Sequence, residues 1–175
     1  MFKRIDGGIR GYLIDFDLAS LVDRDSHNLD RTGTVPFMAL ELLQSVRTGL
    51  DSVVHTFAHD AEAVCWVILW LGVQYAAGKR VRRSFEGWEM VDAWTCYQAK
   101  LALLGALRLH PFTKPNERLQ EPIRGLVKKF GTYNIHKIMI GGEVPVPDTD
   151  GWMEECDKAI RAQDSISEET QGQAL

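Results

Sequence analysis

The sequence contains few cysteines, and none of them stands in a metal-binding or disulfide pattern. Its three cysteines, Cys65, Cys96 and Cys156, lie far apart and form no C-x-x-C pair. We therefore expect reduced thiols inside a protein core rather than a disulfide framework. The five histidines do not alter this expectation, and we predict that the chain has no zinc site.

Positive charge is not in excess either. The chain has 20 Lys and Arg residues against 24 Asp and Glu residues, which gives a formal net charge of -4. Because a nucleic-acid-binding domain normally carries a basic surface, we predict that nucleic acid is not a partner. A protein substrate or a docking protein remains open as a partner.

Long apolar runs are also missing. The longest run, Ala63 to Val73, is well short of the roughly 18 to 20 apolar residues that cross a bilayer. The start of the chain is too charged for a secretory signal, so we expect an intracellular protein, cytoplasmic or nuclear, that does not bind membranes. Since the run is apolar on all sides, it predicts a helix at the centre of a domain. The residues expected to be mostly buried there are Trp66, Ile68, Leu69 and Trp70.

What the sequence does contain is a hairpin, a long loop and several helical patterns. Residues 2–16 predict a hairpin, with a turn at Asp6-Gly7-Gly8 and a second strand at Tyr12-Leu13-Ile14. The turn-rich region from Asp17 to about Thr56 predicts a long loop that contains one helix at about 39–47. Further helices are predicted at about 59–75, 88–109, 115–130 and 151–162.

These patterns together predict a mainly α protein. Hydrophobic residues make up 45% of the chain and charged residues 25%, which is typical of a soluble globular domain. We predict one partial domain over residues 1–162 and a disordered polar tail over residues 163–175.

Two short strings carry the chemical information. The first, Leu13-Ile14-Asp15-Phe16-Asp17-Leu18-Ala19, places a carboxylate at the end of an apolar strand. Alone it would indicate no more than an aspartate that caps a turn. The second, Thr32-Gly33-Thr34-Val35-Pro36-Phe37-Met38-Ala39-Leu40-Glu41, follows shortly after. In this order and at this separation they match the two ends of a protein-kinase activation segment, D-F-G and G-T-x-x-[YF]-M-A-P-E.

A third string, His59-Asp60-Ala61-Glu62, opens the apolar helix, where kinases place the aspartate that begins their buried central helix. The three strings differ in several residues from the usual kinase motifs, and with these differences the chain resembles the fungal-type protein kinase family over roughly residues 1–160. The resemblance implies the carboxy-terminal lobe of a protein kinase with a short amino-terminal β-hairpin. It also implies ATP-dependent phosphorylation of Ser or Thr on proteins, with Mg²⁺ and ATP as the cofactors of a complete family member.

The resemblance implies roles for the residues of the first string. Asp15 would be a ligand of Mg²⁺ and, through the metal, would bind the nucleotide. Phe16 would be the aromatic residue whose packing differs between active and inactive states. Asp17 stands where most kinases have glycine, although the fungal family itself has D-F-D; a side chain there restricts the backbone motion of this motif.

The resemblance also implies roles for three later residues. Thr34 would lie in the substrate-facing loop, and Glu41 would form an ion pair with a buried arginine. Leu40 stands where most kinases have proline. Asp60 would accept backbone amides of the catalytic loop and favour the first turn of its helix. The candidates for the arginine are Arg108, Arg118, Arg124 and Arg161.

The other catalytic motifs of a kinase are missing from these 175 residues. There is no Gly-rich phosphate loop, no strand lysine with its helix glutamate, and no H-R-D-x-x-x-x-N string ahead of the hairpin. Since phosphoryl transfer needs these groups together, we expect the chain alone to be inactive and to bind neither Mg²⁺ nor ATP. We expect Met1 to be an internal methionine of a longer kinase. The alternatives are a non-catalytic, pseudokinase-like binding module and a truncated gene product.

Two smaller features have alternative interpretations. The basic run 79–83 could be a nuclear-localisation or phosphate-binding cluster, but we predict a solvated loop between helices. Ser26 and Thr32 are candidate regulatory phosphosites, because phosphorylation could order the loop against an arginine.

Overall fold

The computed structural model describes residues 2–5, 8–11, 34–48, 53–89 and 91–140, together with residues 144, 145, 151 and 154. The chain divides into two compact units, residues 1–32 and 33–175. Helices dominate, and the chain starts with a small antiparallel hairpin, which confirms the mainly α class. The predicted helix at 151–162, the tail and Cys156 fall mostly or wholly outside the described residues, so the domain boundary at 162 stays a prediction.

The first unit contains the hairpin. Strand β1, Phe2–Ile5, pairs antiparallel with strand β2, Gly8–Gly11, with Phe2 opposite Gly11 and Ile5 opposite Gly8. The second strand therefore starts four residues earlier than the predicted Tyr12. Since Ile5 pairs with Gly8, only two residues separate the strands, which is a common spacing for a hairpin.

The second unit is helical. Its elements are a 3₁₀ turn at Val35–Phe37, α1 at Leu40–Thr48, α2 at Phe57–Gln74, strands β3 at Tyr75–Ala76 and β4 at Lys79–Arg80, α3 at Glu86–Glu89, α4 at Ala93–Ala106, 3₁₀ turns at Leu107–Leu109 and Lys114–Leu119, and α5 at Gln120–Ile140. Helix α2 packs along α5, and α1 packs against α4. Helices α1 and α2 lie where the sequence predicts them.

The predicted helix at 88–109 is interrupted. Asp92 adopts an extended conformation, and its Oδ1 accepts hydrogen bonds from Trp94 N at 2.9 Å and Thr95 N at 3.1 Å. An aspartate with this geometry caps the start of a new helix. The periodic pattern therefore divides into the short α3 and the longer α4.

Helix α5 extends ten residues beyond the predicted end at Phe130. Gly131, which weakens a helix when judged by propensity alone, lies where α5 meets α4. A Cβ at this position would stand 2.4 Å from Leu104 Cδ1. Close packing against α4 thus explains why a glycine lies inside this helix, which the sequence predicts to end at about residue 130.

Helix α2 forms the centre of the second unit, as its apolar sequence predicts. Trp66 and Leu69 are fully buried, Trp70 is buried and Ile68 is partly buried. A Cβ on Gly72 would stand 2.3 Å from the Phe112 ring. The helix is therefore packed too closely to accept a larger side chain at that position.

The basic run 79–83 is exposed, which confirms the predicted solvated position. It starts on the β3–β4 hairpin, whose turn has positive φ angles at Ala77 and Gly78. Arg80 pairs with Glu89 and Arg83 with Glu86, so part of the positive charge is locally balanced. In the part of the chain that the structure describes, Cys65 and Cys96 are buried thiols outside any disulfide, and no helix is long and apolar enough to span a bilayer.

Candidate functional site

Residues 34–41, the end of the predicted activation segment, lie against helices α2 and α4. Thr34 is exposed and precedes the 3₁₀ turn, in which Phe37 N donates to Thr34 O at 2.8 Å. Pro36 is buried, and the Phe37 ring lies edge-on to Trp70 with the centroids 5.5 Å apart. The exposed threonine thus lies at the start of a turn that is held by the buried Pro36 and by the contact of Phe37 with Trp70.

Side chains of α2 and α4 bind the backbone of this segment at three points. Cys96 Sγ donates to Val35 O at 3.7 Å, and Lys100 Nζ donates to Met38 O at 2.6 Å. Leu40 N donates to Glu62 Oε1 at 2.8 Å. Two helices that follow later in the sequence therefore determine the path of residues 35–40.

Glu62 is a buried carboxylate, and both of its oxygens accept hydrogen bonds. Besides Leu40 N, Oε1 accepts from Trp66 Nε1 at 3.0 Å, and Oε2 accepts from Asn134 Nδ2 at 3.2 Å. Burial raises the pKa of Glu62, although these hydrogen bonds and the positive charge of Lys100 oppose the shift. Because Leu40 is the first residue of α1, the carboxylate also caps the amino terminus of that helix.

Lys100 is fully buried, which is rare for lysine. Its Nζ lies 4.5 Å from the centre of the Trp66 ring and 5.8 Å from that of Trp88, distances at which a cation is attracted to aromatic rings. Burial lowers the pKa of Lys100 to about 8, against the opposing influence of Cys96 and Glu62. The sequence prediction did not include Lys100 or Glu62 among the site residues.

Glu41 lies at the junction of α1, α2 and α5. Its Oε2 accepts from His59 Nε2 at 3.1 Å, and its Oε1 accepts from Lys137 Nζ at 2.6 Å. The hydrogen bond from His59, followed by the charge and hydrogen bond of Lys137, lowers the pKa of Glu41 to about 2 despite its burial. The carboxylate is thus held by a lysine and a histidine.

Among the described residues, Lys137 is the positively charged partner of Glu41, and the predicted arginine partner stays a prediction. Arg124 instead donates to Leu107 O at 2.9 Å, to His110 O at 3.3 Å and to Glu121 at 3.1 Å. Arg108 and Arg118 are exposed, and Arg161 lies outside the described residues. The last turns of α5 bring Lys137 to the carboxylate.

Asp60 lies in the first turn of the central helix, as predicted, but it does not cap the helix. Helix α2 begins at Phe57, so that Asp60 is its fourth residue rather than its cap. Thr56 N donates to His59 Nδ1 at 3.0 Å, which makes Nδ1 an acceptor and leaves the proton on Nε2 to be donated to Glu41. Asp60 is 66% exposed and pairs with His55 at 2.9 Å. Its predicted contact with a catalytic loop stays a prediction.

The predicted metal and nucleotide residues, Asp15, Phe16 and Asp17, lie outside the described residues. Among the residues with a described position, no group of three or more His, Cys, Asp or Glu side chains could hold a metal ion. His55 and His59, although four residues apart, face different carboxylates, those of Asp60 and Glu41. The described part of the site is therefore residues 34–41, the end of the predicted activation segment, together with the side chains that bind it.

Comparison with known proteins gives one match. The model of the family described as fungal protein kinase matches residues 2–72. The match includes all three strings that carry the resemblance in the sequence, and it confirms that resemblance, although over a shorter range than the predicted 1–160. No curated protein and no solved structure matches the chain.

Proposed function

Starting from the likeness of residues 2–72 to the fungal protein kinase family, we propose that this chain is the substrate-facing part of the carboxy-terminal lobe of a protein kinase. The complete protein would transfer phosphate from ATP to Ser or Thr of a protein substrate. The supporting observation is the fixed backbone of residues 35–40, whose groups bind Cys96, Lys100 and Glu62.

A rigid segment suits this function because phosphoryl transfer depends on the positioning of the acceptor hydroxyl. A substrate loop held by buried hydrogen bonds presents the same backbone groups to each peptide. Thr34, exposed at the start of the 3₁₀ turn, is in a position to contact the peptide. The ion pair between Glu41 and Lys137 holds the other end of the segment.

The chain alone should not transfer phosphate. Asp15 would supply one carboxylate ligand for Mg²⁺, but the 175 residues contain no Gly-rich loop, no strand lysine and no H-R-D-x-x-x-x-N string. Catalytic groups that act as a unit leave little activity when several are missing. Mg²⁺ and ATP are thus cofactors of the complete protein.

The experiment is a phosphate-transfer assay with purified chain, Mg²⁺, γ-labelled ATP and casein as a general acceptor, with Asp15→Ala as the control. We expect label incorporation at background for both proteins. Incorporation above background that Asp15→Ala abolishes would show that the chain is itself an active kinase.

A non-catalytic binding module is the second candidate, and one observation favours it. The supports of residues 34–41 come from α2, α4 and α5 of this same chain, so the surface is built without nucleotide. A photo-crosslinking residue at Thr34 distinguishes the two functions. Capture of one defined protein that carries no phosphate at the crosslinked site favours a binding module, whereas capture of Ser/Thr-containing peptides favours the substrate side of a kinase.

A further inference from the structure

We propose that Lys100 and Glu62 are positioning residues that together set the conformation of the substrate-facing segment, residues 34–41. The role of this segment towards a substrate rests on the proposed function. Its positioning by Lys100 and Glu62 can be tested without substrate. Lys100 lies outside the strings that carry the family resemblance, and Glu62 ends the third string but was given no role there.

The geometry gives the two residues complementary tasks. Lys100 Nζ donates to Met38 O, and Glu62 Oε1 accepts from Leu40 N, so that one carbonyl and one amide two residues apart are fixed by opposite charges. Ala39, between them, is fully buried. A rotation of the peptide on either side of Ala39 would therefore break a bond to a charged group.

Both groups are costly to bury, which shows that their contacts matter locally. A buried charge that loses its hydrogen-bonding partner costs several kcal/mol or is neutralised. Lys100 and Glu62 avoid this penalty only while the backbone of residues 38–40 keeps its present path, because Met38 O is the acceptor of the lysine. A path of the segment that moves Met38 O away would leave the buried ammonium group without this acceptor.

The two residues are also supported from other helices. Trp66 lies between them, since its Nε1 donates to Glu62 and its ring faces Lys100 Nζ. Asn134 of α5 holds the second oxygen of Glu62 and also donates to Phe130 O at 2.9 Å. The segment is thus coupled to α2, α4 and α5 through one buried polar network, and such networks select a single arrangement.

The test compares amide hydrogen exchange in the wild-type chain and in four variants, without nucleotide or substrate. Lys100→Met removes the ammonium group and keeps the length of the side chain. Glu62→Leu removes the acceptor, whereas Glu62→Gln keeps an oxygen that can accept from Leu40 N. Leu103→Ala, on the same helix as Lys100 and also buried, is the matched control for general loss of stability.

Relative to wild type, Lys100→Met and Glu62→Leu should each accelerate amide exchange in residues 35–43. This acceleration should be at least roughly tenfold larger than the acceleration in α2, as loss of a hydrogen bond to a charged group implies. Glu62→Gln should restore slow exchange at Leu40. Leu103→Ala should speed exchange in the core and the segment alike.

Equal acceleration of the segment and the core in Lys100→Met would overturn the proposal, because it would assign Lys100 to general stability alone. If Glu62→Leu does not fold, Lys100→Met against Leu103→Ala still decides the matter. An active isolated chain in the phosphate-transfer assay would contradict the expected inactivity of the chain alone and leave this result unaffected.

Discussion

The carboxylate of Glu41 and the ammonium group of Lys137 lie 2.6 Å apart, although 96 residues separate them in the sequence. The contact joins the end of the predicted activation segment to the last turns of α5. Together with the hydrogen bond from His59 Nε2 it closes a junction of α1, α2 and α5. The first prediction concerns this junction.

Loss of the Glu41 charge should destabilise the protein in a way that depends on pH. Because the pKa of Glu41 falls from 4.5 to about 2 on folding, its contribution is present above pH 4.5 and disappears as pH falls towards 2. We expect Glu41→Gln to lower the free energy of unfolding at pH 7 by on the order of 1 to 3 kcal/mol. Urea unfolding of both proteins from pH 7 to pH 2 measures the difference.

The matched control for this experiment is Glu121→Gln. Glu121 pairs with Arg124, but its side chain is 79% exposed, so its removal should change stability little. A constant difference between wild type and Glu41→Gln over the whole pH range would contradict the ion-pair account.

Deprotonation of Lys100 should stabilise the protein at alkaline pH. Its pKa is about 8 in the folded chain against 10.5 in the unfolded chain, so the unfolded state binds more protons between these values. Stability relative to Lys100→Met should therefore rise from pH 8 to 10.5, by about 3 kcal/mol in total. Urea unfolding of both proteins at pH 7, 8, 9 and 10 checks this, with the exposed Lys128→Met as control. Parallel curves for wild type and Lys100→Met would show that the ammonium group is not buried as described.

Removal of the Trp70 side chain should be severely destabilising. The ring is 8% exposed and packs against Phe37, Phe85 and Trp88. We expect Trp70→Ala to cost about 3 to 5 kcal/mol through the cavity that it leaves. Phe57→Ala, on the same helix but 73% exposed, should cost far less in the same thermal and chemical unfolding experiments. A similar loss of unfolding free energy in both variants would contradict the central position of α2.

His59 should contribute more to stability than Asp60, although the sequence pattern singled out Asp60. Asp60→Asn removes only an exposed pair with His55 and should change stability by less than about 0.5 kcal/mol. His59→Ala leaves Thr56 N without its side-chain partner and removes one of the two described partners of Glu41, and should cost about 1 to 3 kcal/mol. Chemical denaturation of the two variants at pH 7 gives the comparison, and a larger loss for Asp60→Asn would restore the aspartate as the important residue.

The central helix was predictable from the sequence because local composition alone determines it. An apolar run of this length must be buried, and Trp66 and Leu69 are fully buried. The end of the activation segment was also predictable, since Thr34 and Glu41 belong to one continuous motif. Both signals lie within a short stretch of sequence.

The supports of the segment could not be predicted in the same way. Lys100 occurs in an amphipathic pattern, where a lysine is normally assigned to the exposed face. Lys137 reaches Glu41 only because α5 continues past Gly131, and the packing against Leu104 that permits this is a tertiary effect. Asp60 was singled out because acidic residues favour a first helical turn, and it does lie in the first turn of α2, but its neighbour His59 makes the contact with Glu41.

The most direct test of the account is amide hydrogen exchange of the wild-type chain, compared between residues 35–43 and the buried helix at residues 63–73. The central claim is that buried side chains of the helical unit hold the end of the predicted activation segment in place. It predicts that Leu40 and Leu43, whose amides donate to Glu62 Oε1 and Ala39 O, exchange about as slowly as the amides of α2. Complete exchange of residues 35–43 within seconds, while α2 stays protected, would contradict it.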